Sequence, residues 1–247
     1  MVSKRIVPCL DMRDGKVVKG IRFEDIRDVG NPVDMAVSYE KQGASEITML
    51  DISGNKEVSL NTVSEVSKNI SIPLCFGGGI KSLDDARDFL AVGADRISIG
   101  SAAVSNPGLI TECAEEFGKD RITVAIDARK EGDGWKVYTK GGRHNTGLDA
   151  VEWSTKVEKL GAGEILLTSM DGDGSKTGYD IPLTALVSKS VKIPVIASGG
   201  CGSVEHIFDV FAETDAAAAL AASVFHYGEI KISDVREYLK KKGVTIE

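Results

Sequence analysis

An α/β fold, a (βα)8 TIM barrel built from two homologous half-barrels, is what this sequence predicts. Three observations carry that reading: eight short β-rich runs, an amphipathic stretch between successive runs, and an internal repeat. At 247 residues the chain matches one large domain, 1–247, since barrels of roughly 250 residues are a common single-domain solution. The halves are expected at about 1–120 and 121–247.

The strands are expected, in order, at residues 5–10, 47–50, 73–76, 96–99, 122–126, 165–168, 194–197 and 217–221. Each is apolar nearly throughout, as strands buried on both faces of a parallel sheet must be. Helical patterning fills the gaps, for example at 33–42, 84–92, 150–160 and 204–211. Eight strand–helix units close naturally into a barrel, and an open doubly wound sheet is the weaker alternative. The repeat strengthens the barrel. Arg5-Ile-Val-Pro-Cys-Leu-Asp-Met-Arg13 aligns with Arg121-Ile-Thr-Val-Ala-Ile-Asp-Ala-Arg129, which places Asp11 opposite Asp127. Downstream, Asp14-Gly15 falls over Asp133-Gly134, and Ile72-Pro-Leu-Cys-Phe-Gly-Gly-Gly79 matches Ile193-Pro-Val-Ile-Ala-Ser-Gly-Gly200.

Composition narrows the function. Apolar residues at 42% and charged ones at 27% are globular values. A net charge of -7 excludes non-specific nucleic-acid binding, which rests on a basic surface. Cys9, Cys75, Cys113 and Cys201 lack the spacing of metal ligands, so neither a metal nor a disulfide scaffold is expected, and no cofactor motif is present. The longest apolar run, 216–224, is too short to span a membrane, and no signal-type segment precedes Ile6. A cytoplasmic protein is expected.

Reactive groups of such barrels sit where strands end. Asp11 and Asp127 both follow apolar runs at equivalent positions, which marks them as an acid/base pair. Gly77-Gly78-Gly79 after the third strand and Ser198-Gly199-Gly200 after the seventh can close backbone N–H groups around phosphate. Gly100-Ser101 and Ala222-Ser223, after the fourth and eighth strands, are their expected partners, with Asp173-Gly174-Ser175 a third contribution. Two such sets imply a substrate phosphorylated at both ends. Lys19 lies in a long polar stretch, 14–31, expected to be a lid loop. At the opposite face, Arg5, Glu46, Arg96 and Glu164 open four strands and are expected to converge as alternating charge.

The segments Pro8-Cys-Leu-Asp-Met-Arg-Asp-Gly-Lys-Val-Val-Lys-Gly20, Val124-Ala-Ile-Asp-Ala128, Gly161-Ala-Gly-Glu-Ile-Leu-Leu-Thr-Ser-Met-Asp171 and Ala197-Ser-Gly-Gly200 resemble the cyclase subunits of imidazole glycerol phosphate synthase. The resemblance runs from about Lys4 to Glu247. It implies a lyase of histidine biosynthesis that turns a bis-phosphorylated ribulosyl aminoimidazole-carboxamide ribotide into imidazole glycerol phosphate and aminoimidazole-carboxamide ribotide. Ammonia would come from a glutaminase subunit at the N-terminal face, through a gate of Arg5, Glu46, Arg96 and Glu164. The resemblance carries acid/base roles to Asp11 and Asp127 and substrate closure to Lys19. Phosphate binding carries to Gly79, Ser101, Gly174, Gly200, Ala222 and Ser223, and site-lining positions to Thr168 and Ser198.

This chain departs from the family pattern at Gly100 and Arg22, where the family usually has Asn. It departs again at Arg96, usually Lys, and at Ser53-Gly54-Asn55, usually Thr-Ala-Ser. Gly100 is retained among the substrate-binding positions. Two alternatives remain open: a non-catalytic barrel that binds phosphorylated ligands and activates a glutaminase, and a barrel that supplies ammonia for sugar amidine synthesis.

Overall fold

The computed structural model describes residues 3–21 and 24–247, and the side chains of 3–18 and 28–247. Strand β1 (Arg5–Arg13) is buried from Arg5 to Leu10 and reverses through Asp14-Gly15 into β2 (Lys16–Ile21) and β3 (Glu24–Gly30). The stretch expected to be a lid loop is therefore largely a β-hairpin. β1 reverses into it through Asp14 and Gly15, whose φ of 49° and 78° are the left-handed pair that a two-residue turn requires. Val17 and Val18 are buried, and Lys16 pairs with Asp28 at 2.9 Å. Polar composition obscured a strong Asp-Gly signal.

Helix α1 (Pro32–Lys41) starts at Asn31, whose side chain accepts from the N–H groups of Val33 and Asp34, with proline in the first turn. Next come β4 (Ile47–Asp51), α2 (Lys56–Asn69), β5 (Leu74–Gly77), α3 (Leu83–Ala91), β6 (Arg96–Ile99), α4 (Ser101–Ser105) and α5 (Gly108–Phe117). Phe76 of β5 stacks on Phe89 of α3 at 4.0 Å between ring centres, which seals one strand to its own helix.

The second half repeats the plan. It runs β7 (Ile122–Glu131), β8 (Gly134–Thr139), β9 (His144–Asp149), α6 (Ala150–Lys159), β10 (Glu164–Ser169) and α7 (Ile181–Ser190). It ends with β11 (Val195–Ser198), α8 (Val204–Glu213), β12 (Ala218–Ala221), α9 (Ser223–His226) and α10 (Ile232–Lys241). The hairpin after the first strand recurs as β7–β8, with Glu131 in register with Gly134, so the turn is Gly132-Asp133. Asp14-Gly15 therefore matches Gly132-Asp133 rather than Asp133-Gly134; the second hairpin has longer arms.

Parallel strands follow the order β10-β11-β12-β1-β4-β5-β6-β7, and β10 also pairs with β7, so the sheet is the closed eight-stranded ring of a (βα)8 TIM barrel. All eight expected strands are present within a residue or two at most boundaries. Contacts group the chain into two compact units, residues 1–98 with 221–247, and residues 99–220. In the first unit, Lys4 bridges Ile246. The Lys4 N–H donates to the Thr245 carbonyl at 2.9 Å, and the Glu247 N–H donates to the Lys4 carbonyl at 3.1 Å. None of the four cysteines forms a disulfide. Among the described residues no helix is long and apolar enough to cross a membrane.

Candidate active site

In the first unit, Asp11 is half-buried near the end of β1, and the Cys9 thiol donates to its Oδ1 at 3.7 Å. Asp11 is in register with Leu50 of β4, Leu50 with Gly77 of β5, and Gly77 with Ser98 of β6. Residues in register on parallel neighbours share a face, so these four lie at one level. Above them the chain turns on glycine. Gly78 has φ of 106°, and a Cβ there would lie 2.2 Å from the Asp51 carbonyl oxygen. Gly79, with φ of 71°, has open space around it. Ala222 precedes α9 and Ser223 opens it, both half-buried.

Asp51, which ends β4, builds the next loop. Its carboxylate accepts from the Ser53 N–H at 3.1 Å, the Ser53 hydroxyl at 2.7 Å and the Gly54 N–H at 2.8 Å. Ser53 Oγ then accepts from the Asn55 N–H, and Asn55 caps α2 through the Val58 N–H. Ser53 and Asn55 thus keep a hydroxyl and a cap where the family pattern has Thr and Ser. Lys19 lies on β2 in register with Arg27, and its side chain is outside the described residues. Arg22 lies outside them altogether.

In the second unit, Asp127 is in register with Thr168 of β10, and Thr168 with Ser198 of β11. This level matches Asp11, Leu50 and Gly77 of the first unit, with two hydroxyls where those strands carry Leu and Gly. Burial, with the Asp173 carboxylate adding to it, pushes the Asp127 carboxyl up to about 6. Gly199 and Gly200 have φ of 91° and 101°. A Cβ on Gly199 would lie 2.5 Å from the Ser169 carbonyl oxygen, and one on Gly200 would lie 2.0 Å from that of Gly178. Gly174, at φ 72°, sits in the loop between β10 and α7, where the Asp173 N–H donates to the Ser169 carbonyl.

Ser101 opens α4 and is exposed; its hydroxyl accepts from the Lys140 N–H at 3.0 Å. Gly100 before it has an ordinary φ of -100°, and a Cβ would meet only Ala125, at 3.8 Å. A Cβ therefore fits at this position. The sequence reading did not name Asp173 as a charge acting on Asp127, because a loop residue and a strand-end residue that far apart carry no shared spacing signal. It also missed His206, discussed below.

At the other end of the strands, Arg5 and Arg96 both donate to the same oxygen of Glu46, at 2.6 and 2.7 Å. Glu46 is 1% exposed. Three of the four expected gate residues thus meet in the first unit. Glu164, in the second, opens β10 and is buried.

Eight parallel strands whose two halves each carry an aspartate near one strand end and a left-handed glycine pair after another define an enzyme barrel. A family model described as histidine biosynthesis protein matches residues 5–231. The imidazole glycerol phosphate synthase subunit HisF of Clostridium botulinum strain Langeland is 53% identical over 251 residues, covering 100% of this chain and 99% of its own. The subunits of the same name from strains Kyoto and Okra share the same identity and coverage. The chain belongs to the histidine biosynthesis protein family, among relatives named as the HisF subunit of that synthase.

Proposed function

We propose that this protein is the ammonia-dependent cyclase of imidazole glycerol phosphate synthesis. Its substrate is the bis-phosphorylated ribulosyl aminoimidazole-carboxamide ribotide; its products are imidazole glycerol phosphate and aminoimidazole-carboxamide ribotide. The observation that carries the reading is Asp127, half-buried at a strand end, level with Thr168 and Ser198, with its carboxyl raised to about 6. A carboxyl poised near neutral pH can both give and take a proton, which ring closure and bond cleavage require. Asp11 supplies the second carboxylate of the acid/base pair, from the matching position of the repeat.

Gly79, Ser101 and the position of Gly100 serve one phosphate; Gly174, Gly200, Ala222 and Ser223 serve the other. Left-handed glycines turn consecutive N–H groups toward an anion, which supports that assignment. Lys19 closes over bound substrate. Ammonia comes from a glutaminase subunit docked at the N-terminal face, past Arg5, Glu46, Arg96 and Glu164, and the complex works in the cytoplasm.

The test is to incubate the purified chain with the ribulosyl ribotide and an ammonium salt and to follow substrate loss by absorbance. Turnover without any glutaminase is the expected result. Absence of turnover, with substrate still bound, selects the non-catalytic reading instead.

A further inference from the structure

The chain after β11 must run from a pair of left-handed glycines into α8 within five residues, 199–203. Ser203 caps α8, its hydroxyl accepting from the His206 N–H at 3.4 Å. In the usual reciprocal cap, the third residue of the helix is Glu or Gln, and its side chain reaches back to accept from the backbone N–H of the cap residue. Here that third residue is His206. Its Nδ1 reaches one residue further back and accepts from the Gly202 N–H at 3.0 Å. An Nδ1 that accepts places the ring proton of neutral imidazole on Nε2.

The same ring faces a second loop. A Cβ built on Gly178, between β10 and α7, would lie 3.6 Å from the His206 Cδ2 and 3.8 Å from its Nε2. Around the ring the loops are interlocked by their backbones. The Gly178 N–H donates to the Gly200 carbonyl at 2.8 Å, and a Cβ on Gly202 would lie 2.2 Å from the Lys176 carbonyl oxygen. One imidazole therefore fixes an N–H direction in the loop that bears Gly200 and turns its edge toward the loop that bears Gly174.

We infer that His206 is a positioning residue: as an acceptor for the Gly202 N–H, with its ring facing Gly178, it holds the interlocked Gly174 and Gly200 loops in the arrangement that binds a substrate phosphate. This rests on the assignment of a phosphate to those loops. His206 sits on α8, away from the β7 strand that bears Asp127, so it acts on binding and not on proton transfer.

Three variants separate its roles. His206→Gln keeps an acceptor, as in the usual cap; His206→Phe keeps the ring but not the acceptor; His206→Ala loses both. With the ribulosyl ribotide and ammonium salt, KM is expected to rise about tenfold in His206→Phe and further in His206→Ala, the scale of one hydrogen bond to a charged group. The saturated rate should stay within about twofold of wild type, since uniform binding affects KM alone. His206→Gln should restore KM. A KM unchanged in His206→Phe, or a loss of KM and kcat together that tracks a lower melting temperature in all three variants, overturns the inference.

Gly174→Asp measured beside Gly174→Asn tests the underlying assignment, because only the aspartate repels phosphate. If the aspartate alone weakens binding while His206→Phe is silent, the phosphate is there and the role of His206 is wrong. If aspartate and asparagine behave alike, the phosphate assignment itself falls, and the inference falls with it.

Discussion

Asp127 carries opposed demands on stability and chemistry. Its carboxyl keeps a proton up to about pH 6 in the folded protein, whereas an unfolded chain releases it near pH 4, about the ordinary value for aspartate. The folded state therefore holds the extra proton between those values, and stability falls as pH rises through that window. The cost, up to about 3 kcal/mol, persists above it. Asp127→Asn is expected to melt higher than wild type at pH 8, with the gain gone at pH 4. The same variant should lose about 10²–10⁴-fold in ammonium-driven turnover. In wild type, kcat/KM should show a step near pH 6 that the variant lacks. A fall above that pH assigns Asp127 as the acid, and a rise assigns it as the base. If the variant keeps both its turnover and the step, Asp127 is not the titrating group. At this scale the sequence was informative wherever two halves could be compared: Asp11 and Asp127 are legible as a pair because each follows the same apolar run. The effect of the Asp173 charge on Asp127 and the contacts of His206 were not legible, because they depend on how loops fold back in space.

The strand-to-loop transitions show which glycines the fold demands. After β5, Gly78 faces the Asp51 carbonyl and cannot hold a Cβ without moving backbone, whereas Gly79 has free space and only the strain of a left-handed φ. After β11 both glycines are crowded, Gly199 by Ser169 and Gly200 by Gly178. Gly78→Ala is accordingly expected to destabilise strongly, by more than about 2 kcal/mol, and Gly79→Ala by only about 1 kcal/mol. Denaturant midpoints of the two variants measure this, and equal losses would show that crowding by Asp51 is not what selects Gly78. The eight barrel strands were readable because continuous apolar runs need no partner to be recognised. The β2–β3 pairing was not, because charged residues interrupt both strands, and the Asp14-Gly15 turn marks the β1–β2 reversal instead. In the second half, the Glu131 carboxylate accepts from the Tyr138 hydroxyl and from the Asn145 amide, which ties β7 to β8 and β9. Nothing in the first half's sequence matches that clasp.

For the molecule as a whole, the charged cluster under the first unit bears on how reaction and partner are joined. Arg5→Ala leaves Glu46 with Arg96, so the buried carboxylate keeps one cation and the fold is retained with a lower melting temperature. If the proposed gate is right, Arg5 matters to glutamine-driven turnover in the presence of a glutaminase subunit, while ammonium-driven turnover stays near wild type. Equal effects on both, with only a lower melting temperature, would make the cluster a stabilising one. The closed ring was legible from eight units and a repeat, and the family comparisons agree with it. The grouping into two compact units was not legible, because the repeat is visible in sequence near residue 120 and the contacts divide the chain elsewhere.

That division has a consequence for synthesis. Residues 99–220 form an unbroken stretch and can complete their contacts as soon as they emerge from the ribosome. The other unit draws on both residues 1–98 and residues 221–247, among them the Lys4–Ile246 bridge and the Tyr39 hydroxyl on His226. Its early-made strands must wait, with apolar faces uncovered, until the last of those residues has been translated. Waiting strands of that kind are what chaperones bind.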